Sequence, residues 1–216
     1  MFPLYPLSHC LYELRPPAGL LERCFHYLSA YAFSAPCRIF QNLNTLAVET
    51  ENPAQVIAAL ALFDIHNAVA PSPDPVVQVH QIPVCYDPVL GNDLHVLSDQ
   101  TSLSAEEIIQ IHCAGHYRVG MMGFLPGFGY LTGLDPRLRT RRKAQPDARV
   151  CAGSVAIAED MTGVYPFDSP GGWLILGHTP QRMVDFSNSH QPTLLQCGDK
   201  VTFYPISIET YGKIAH

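Results

Sequence analysis

Thr162-Gly163-Val164-Tyr165-Pro166-Phe167-Asp168-Ser169-Pro170-Gly171-Gly172-Trp173 sets the character of the second half of the chain. Prolines and glycines interrupt an apolar and aromatic run, so no helix can cross it and any strand in it must be short. The same punctuation runs from Tyr117 onward, through Gly123-Phe124-Leu125-Pro126-Gly127 to the turn Cys197-Gly198-Asp199-Lys200 and the alternating strand Val201-Thr202-Phe203-Tyr204. Many short strands between rigid turns predict a closed β-barrel rather than a layered α/β sheet. Just upstream, Val76–Val84 reads as a strand. Ser104-Ala105-Glu106-Glu107, ahead of Ile108, Ile109 and Ile111, is a capping box that predicts a helix running to about Cys113.

The first 70 residues read differently. Cys10–Leu14 is strand-like, and Leu20, Leu21, Cys24, Leu28 and Tyr31 recur at helical spacing. Two strands are expected around Arg38–Phe40 and Leu46–Val48, joined by the turn-forming Gln41-Asn42-Leu43-Asn44. Pro53 suits the first turn of a second helix carrying the apolar run to Phe63. This β-α-β-β-α order predicts a small sheet with helices on one face. Ala70-Pro71-Ser72-Pro73-Asp74-Pro75 pre-sets extended backbone and reads as a linker, which divides the chain into residues 1–75 and 76–216.

The composition narrows the function classes. Of 216 residues, 47% are hydrophobic and 15% charged, which excludes intrinsic disorder. A net charge of −6 argues against nucleic acid as a partner. One window runs against that balance: Arg137, Arg139, Arg141, Arg142, Lys143 and Arg149, set against Asp135 and Asp147, give +4 and leave −10 for the rest. Seven cysteines without a C-x-x-C pair fit reduced thiols. The opening residues lack the pattern of a secretory signal, and the apolar run Val56–Phe63 is far below the ~20 residues of a membrane span. A soluble, cytoplasmic protein is expected.

Several motifs fail on context. Gly127-Phe128-Gly129-Tyr130-Leu131-Thr132-Gly133 runs into Asp135-Pro136 instead of opening a helix, so it is no dinucleotide fingerprint, and no P-loop string occurs. His112 and His116 are four apart, but Gly115 breaks the helix between them and no glutamate accompanies them, so a hydrogen-bonded histidine is preferred to a zinc ligand and no metal site is expected. Ser154 lacks the glycine that a nucleophile elbow requires, and Cys151 reads as a small hydrophobe. The basic window, by contrast, adjoins the Gly/Pro-rich string, whose rigid turns suit a pocket rim where cations could clamp a phosphate or carboxylate. Asp168 is the one carboxylate of that string and a candidate general base, or else a turn-capping residue.

At these residues the chain resembles the allophanate hydrolase subunit 1 or KipI-like family, which includes one component of bacterial ATP-dependent 5-oxoprolinase. The resemblance is carried by Gly123–Leu131, by Leu134-Asp135-Pro136-Arg137-Leu138, by Ala152-Gly153-Ser154-Val155-Ala156-Ile157 and by Thr162–Pro180, with looser similarity at Ile82-Pro83-Val84, His112 and Gly198-Asp199. It implies an α+β fold, with an N-terminal ferredoxin-like lobe followed by a C-terminal cyclophilin-like β-barrel domain. It also implies opening of 5-oxoproline to glutamate with ATP and Mg2+ as co-substrate and no tightly bound cofactor. The implied partners are a companion 5-oxoprolinase subunit of the KipA-like (allophanate hydrolase subunit 2) type and a separate lactam-binding subunit; the alternative is a protein inhibitor of a sensor histidine kinase. Asp168 and His112 are the expected catalytic residues. Arg142, Lys143, Thr162, Gly163, Tyr165, Ser169, Gly171 and Gly172 are expected to bind substrate or nucleotide. Glu159 and Asp160 stand where relatives commonly carry glycines, and carboxylates directed into a site there would repel an anion.

Overall fold

The computed structural model describes residues 3–17, 19–63, 77–188 and 191–215. The chain forms two compact units, Met1–Val77 and Gln78–His216. The expected linker lies outside the described residues.

In the first unit the elements are β1 (Leu4–Pro6), β2 (Leu11–Leu14), α1 (Leu21–Ala30), β3 (Cys37–Gln41), β4 (Leu46–Thr50) and α2 (Pro53–Leu62). The strands form one antiparallel sheet in the order β1-β2-β4-β3. Alternation along β4 sends Leu46, Val48 and Thr50 inward, and the first two meet Cys24 and Leu28 of α1 and Val56, Ala59 and Leu60 of α2 in one core. Both helices therefore cover the same face, as expected. The β3–β4 turn closes with Asn42 N–H donating to Thr45 O at 2.8 Å, and Pro53 opens α2. The short edge strand β1 has no counterpart in the sequence reading.

The second unit contains β5 (Val79–Val84), α3 (Leu94–Thr101), α4 (Ala105–Ala114), β6 (Tyr117–Met122), β7 (Gly129–Thr132), a 3-10 turn (Pro136–Leu138), β8 (Asp147–Val150), β9 (Ser154–Ala158), β10 (Met161–Val164), β11 (Ser169–Gly171), β12 (Leu174–His178), β13 (Lys200–Pro205) and α5 (Ile208–Ile214). Seven strands form a sheet in the order β12-β9-β10-β7-β6-β13-β5, antiparallel except for the parallel β13–β5 pair. Its two edges approach each other where Cys85 and His178 exchange backbone hydrogen bonds of 2.8 and 2.9 Å, so the sheet nearly closes into a barrel. Ile82, Val119, Leu131, Val155, Ile157, Leu176, Val201 and Phe203 belong to its core, together with Leu97 of α3 and Ile108 of α4. β8 and β11 pair as a separate ribbon outside the seven-stranded sheet.

The capping box forms as read: Glu107 N–H donates to Ser104 Oγ at 3.2 Å, and Ser104 N–H donates to Glu107 Oε2 at 2.8 Å. Glu159 and Asp160 form the tip of the β9–β10 hairpin, with Glu159 at φ +53°, a region that favours glycine. Both are exposed, and Asp160 pairs with Arg139 at 3.3 Å, so neither carboxylate enters a binding cavity. Among the described residues no helix is long and apolar enough to cross a membrane.

Candidate functional site

The basic window runs from Arg137 in the 3-10 turn, through the loop that follows, to Arg149 in β8. Its inner wall is a cleft of about 390 Å³ lined by Arg141, Arg142, Lys143 and Ala144, by Asp93, Val96 and Gln100 of α3 and its N-cap, and by Leu174 of β12. The loop is anchored by its backbone, with Lys143 N–H donating to Gly172 O at 2.7 Å. Gly172 therefore shapes the site through its carbonyl.

Charge pairing decides what this loop can bind. Arg137 is held by Asp135 at 2.8 Å, Arg139 by Asp160 at 3.3 Å and Arg149 by Asp168 at 2.7 Å. Lys143 Nζ lies 2.6 Å from Asp93 Oδ2 and 2.6 Å from Asp147 Oδ2. Burial works to lower the Lys143 pKa, but hydrogen bonds to the two carboxylates outweigh it and leave the ammonium above its ordinary value. Asp93 is 7% exposed, and its Oδ2 also accepts the Ile175 N–H at 2.7 Å. Arg141 and Arg142 are exposed and make no ion pair among the described residues. The window of six cations thus presents two unpaired guanidiniums to the cleft.

Behind the cleft stands an aromatic cluster of Phe128, Tyr165 and Trp173, with Tyr130 at its edge. Burial raises the Tyr165 pKa, while the Trp173 backbone and the charges of Arg142 and Lys143 pull it down, so the hydroxyl senses the cations of the cleft. A Cβ at Gly171 would overlap that hydroxyl and lie 2.9 Å from Tyr165 Cζ, so only glycine lets β11 pass. Ser169 Oγ is buried without a hydrogen-bond partner.

The two expected catalytic residues lie elsewhere. His112 is 0% exposed inside α4, with Nδ1 2.7 Å from Tyr86 Oη and Nε2 3.0 Å from Thr162 Oγ1. Thr162 Oγ1 donates to Ala156 O at 3.0 Å, so it accepts from Nε2–H, and Nδ1 is left to accept from Tyr86. Phe203 stacks on the ring at 4.7 Å, and burial lowers its pKa to about 3. The imidazole is neutral and both nitrogens are occupied, so it cannot share a metal with His116 or exchange a proton with a ligand. His112 and Thr162 tie α4 to the barrel, an arrangement that serves the framework. Gly163 belongs to the same strand; a Cβ there would lie 3.0 Å from Phe128 Cζ and 3.1 Å from Gly129 O.

Asp168 accepts from Ala152 N–H at 2.9 Å and from Arg149 Nε and Nη2 at 3.0 and 2.7 Å. The Ala152 N–H and the guanidinium hold its carboxyl below the usual range. A carboxylate stabilised in this way is a weak base, and its bonds clasp the β10–β11 connection to the end of β8. Sequence reading therefore placed Arg142 and Lys143 at the cleft and missed Asp93 and Gln100. The string Gly91-Asn92-Asp93 ahead of Leu94 was an available helix-start signal.

The cleft belongs to a recognised architecture. Residues 18–195 match the carboxyltransferase domain, subdomain C and D. The chain belongs to this family. The B subunit of 5-oxoprolinase from Bacillus subtilis is 44% identical over 134 residues, which cover 62% of this chain and 55% of that protein. The corresponding protein of Escherichia coli O157:H7 is 41% identical over 197 residues, covering 89% of this chain and 90% of that one. The match thus spans little more than half of the Bacillus protein. Among solved structures, TTHA0988 superposes with a TM-score of 0.76 at 29% identity, covering 92% of this chain and 40% of its own length. The cleft and the paired window lie within the family match.

Proposed function

We propose that this chain is the B-type subunit of an ATP-dependent 5-oxoprolinase, active together with a companion subunit. The identity to two B subunits of that enzyme carries the reading, and a cleft with two unpaired guanidiniums supports it. A lactam is a poor electrophile. Transfer of the γ-phosphoryl group of ATP to the lactam oxygen gives ADP and an imidate phosphate. Water then adds at that carbon and the ring C–N bond breaks with a proton passing to nitrogen, which leaves a glutamyl phosphate; a second water attacks its acyl carbon and displaces phosphate to give glutamate. Cations placed where charge develops are the protein's main contribution to such a sequence. Magnesium would arrive with the nucleotide, since Lys143 already occupies Asp93 and Asp147 and the cleft offers no free carboxylate pair for it.

In this reading residues 1–75 form a ferredoxin-like lobe, supported by the β1-β2-β4-β3 sheet under two helices, and residues 76–216 form a cyclophilin-like barrel. Arg142 serves the cleft directly, and Lys143, paired with Asp93 and Asp147, fixes its wall. Tyr165, Ser169, Gly171 and Gly172 shape its support. Thr162 and Gly163 hold the barrel wall behind it. The partners are the KipA-like companion and the lactam-binding subunit, and the assembly works in the cytoplasm. The test is reconstitution: 5-oxoproline-dependent ATP hydrolysis is measured for the chain alone and with its companions. Activity confined to the complex is expected. An inactive complex would refute the assignment, and full activity of the isolated chain would refute the shared site.

A further inference from the structure

We propose that the cleft seats the small carboxylate-bearing amide rather than the nucleotide, with the guanidiniums of Arg141 and Arg142 on its carboxylate; the identity of that amide as 5-oxoproline rests on the function proposed above.

Charge comes first. With Lys143 neutralised by Asp93 and Asp147, the cleft's cations and anions sum to one net positive charge, which suits a monoanion. A polyphosphate would bring several negative charges against Asp93, a carboxylate buried in the wall and unable to turn away because Ile175 N–H and Lys143 hold it. Asp93 is also the N-cap of α3, so the positive end of that helix already has its own carboxylate. Among the described residues no glycine lines the cleft to offer the close backbone N–H groups that cradle phosphates.

The neutral groups then match an amide. Thr140 Oγ1 donates to Gln100 Oε1 at 2.6 Å, which fixes that side chain with its NH2 free to donate to a carbonyl or carboxylate oxygen. Asp93 can accept an amide N–H. Val96, Ala144 and Leu174 supply apolar surface for methylene groups. A volume of about 390 Å³ is at the low end of small-molecule sites, which run to about 1,000 Å³. Guanidinium and carboxylate are the complementary bidentate pair.

Two arms test this. In the first, the full-length chain is titrated with N-acetylglycine, 5-oxoproline, 2-pyrrolidinone and inorganic triphosphate while the amide resonances of Val96, Gln100 and Ala144 are followed by NMR. Both carboxylates should shift them saturably, 2-pyrrolidinone should bind at least about tenfold more weakly, and triphosphate should neither shift them nor compete. In the second, Arg142→Ala in the reconstituted complex should raise KM for 5-oxoproline at least about tenfold and leave KM for ATP within about twofold, with partial recovery in Arg142→Lys, since loss of a charge-assisted pair costs a factor of this order. Triphosphate competing at those resonances, or a selective rise in KM for ATP, would overturn the proposal. A complex that turns over 5-oxoproline while neither carboxylate reaches the cleft would also overturn it and leave the function standing. A complex without turnover, in a chain whose cleft still takes N-acetylglycine through Arg142, would sink the function and leave the ligand class intact.

Discussion

Replacing His112 by leucine tests whether this ring is framework or chemistry, because the two roles respond oppositely to pH. Leucine keeps much of the buried volume but deletes both ring nitrogens. The Tyr86 hydroxyl loses its acceptor at 2.7 Å and keeps only the weak contact with the Cys113 thiol at 3.5 Å, while Thr162 loses a donor at 3.0 Å but keeps its own bond to Ala156 O. Stranding a buried hydroxyl costs about 1–3 kcal/mol, and the weaker loss at Thr162 brings the total to ~2–4 kcal/mol at pH 7. The wild type carries an opposing liability. Burial lowers the His112 pKa to about 3 from an ordinary 6.5, so in that window the unfolded chain binds a proton that the folded chain does not. Stability contributed by the neutral ring is fully present above pH 6.5 and drains as pH falls toward 3, by up to ~4 kcal/mol at about 1.36 kcal/mol per unit.

The leucine variant has no such proton to gain. Other titrating groups are common to both proteins and cancel in the difference. The gap measured by urea unfolding should therefore close from ~2–4 kcal/mol at pH 7 to about zero near pH 4. A gap that stays constant over that range would mean the ring is not held neutral by burial, and the framework account fails. Turnover of the reconstituted complex, assayed well below the variant's melting temperature, should stay within about threefold of wild type, where a general acid or base would lose roughly 10²–10⁴-fold.

Two further substitutions probe the other expected site residues. Asp168→Asn should leave turnover within about threefold, because the carboxylate is committed to Arg149 and the Ala152 N–H; a loss of roughly 10²-fold or more with an unchanged circular-dichroism spectrum would restore it as a base. Gly171→Ala should destabilise the barrel unit by ~1–3 kcal/mol, read as a melting temperature lower by roughly 3–15 °C, since its Cβ meets a Tyr165 ring boxed in by Phe128; a variant melting with the wild type would mean that Tyr165 moves aside freely.

Local features of the sequence translated directly into structure. The Ser104–Glu107 capping box, the Asn42 turn and Pro53 at the start of α2 each act within a few residues, and each formed where it was read. The Gly and Pro punctuation after Tyr117 foretold short strands and a nearly closed sheet. β1 escaped because three residues carry too little periodicity, and α3 because Leu94 and Leu97 are its only buried positions. The hydrogen-bonded histidine read at His112 is present, but its partners were not legible. Its spacing from His116 is local, but its partners Tyr86 and Thr162 lie 26 and 50 positions away and reach it only once the barrel forms.

The basic window poses the same problem in electrostatic form. Counting charges along residues 135–149 gives the field of an unpaired chain, whereas the fold returns a carboxylate to most of those cations. Some come from next door, as Asp135 does for Arg137. Others arrive by tertiary contact, as Asp160 does for Arg139, Asp168 for Arg149 and Asp93 for Lys143. What survives is the adjacent pair Arg141 and Arg142, and their place at the cleft follows from the neutralisation of the others. Lys143, fixed between Asp93 and Asp147, holds the loop, and this is why a window read as able to clamp a phosphate or a carboxylate keeps, once folded, the charge to match a monoanion.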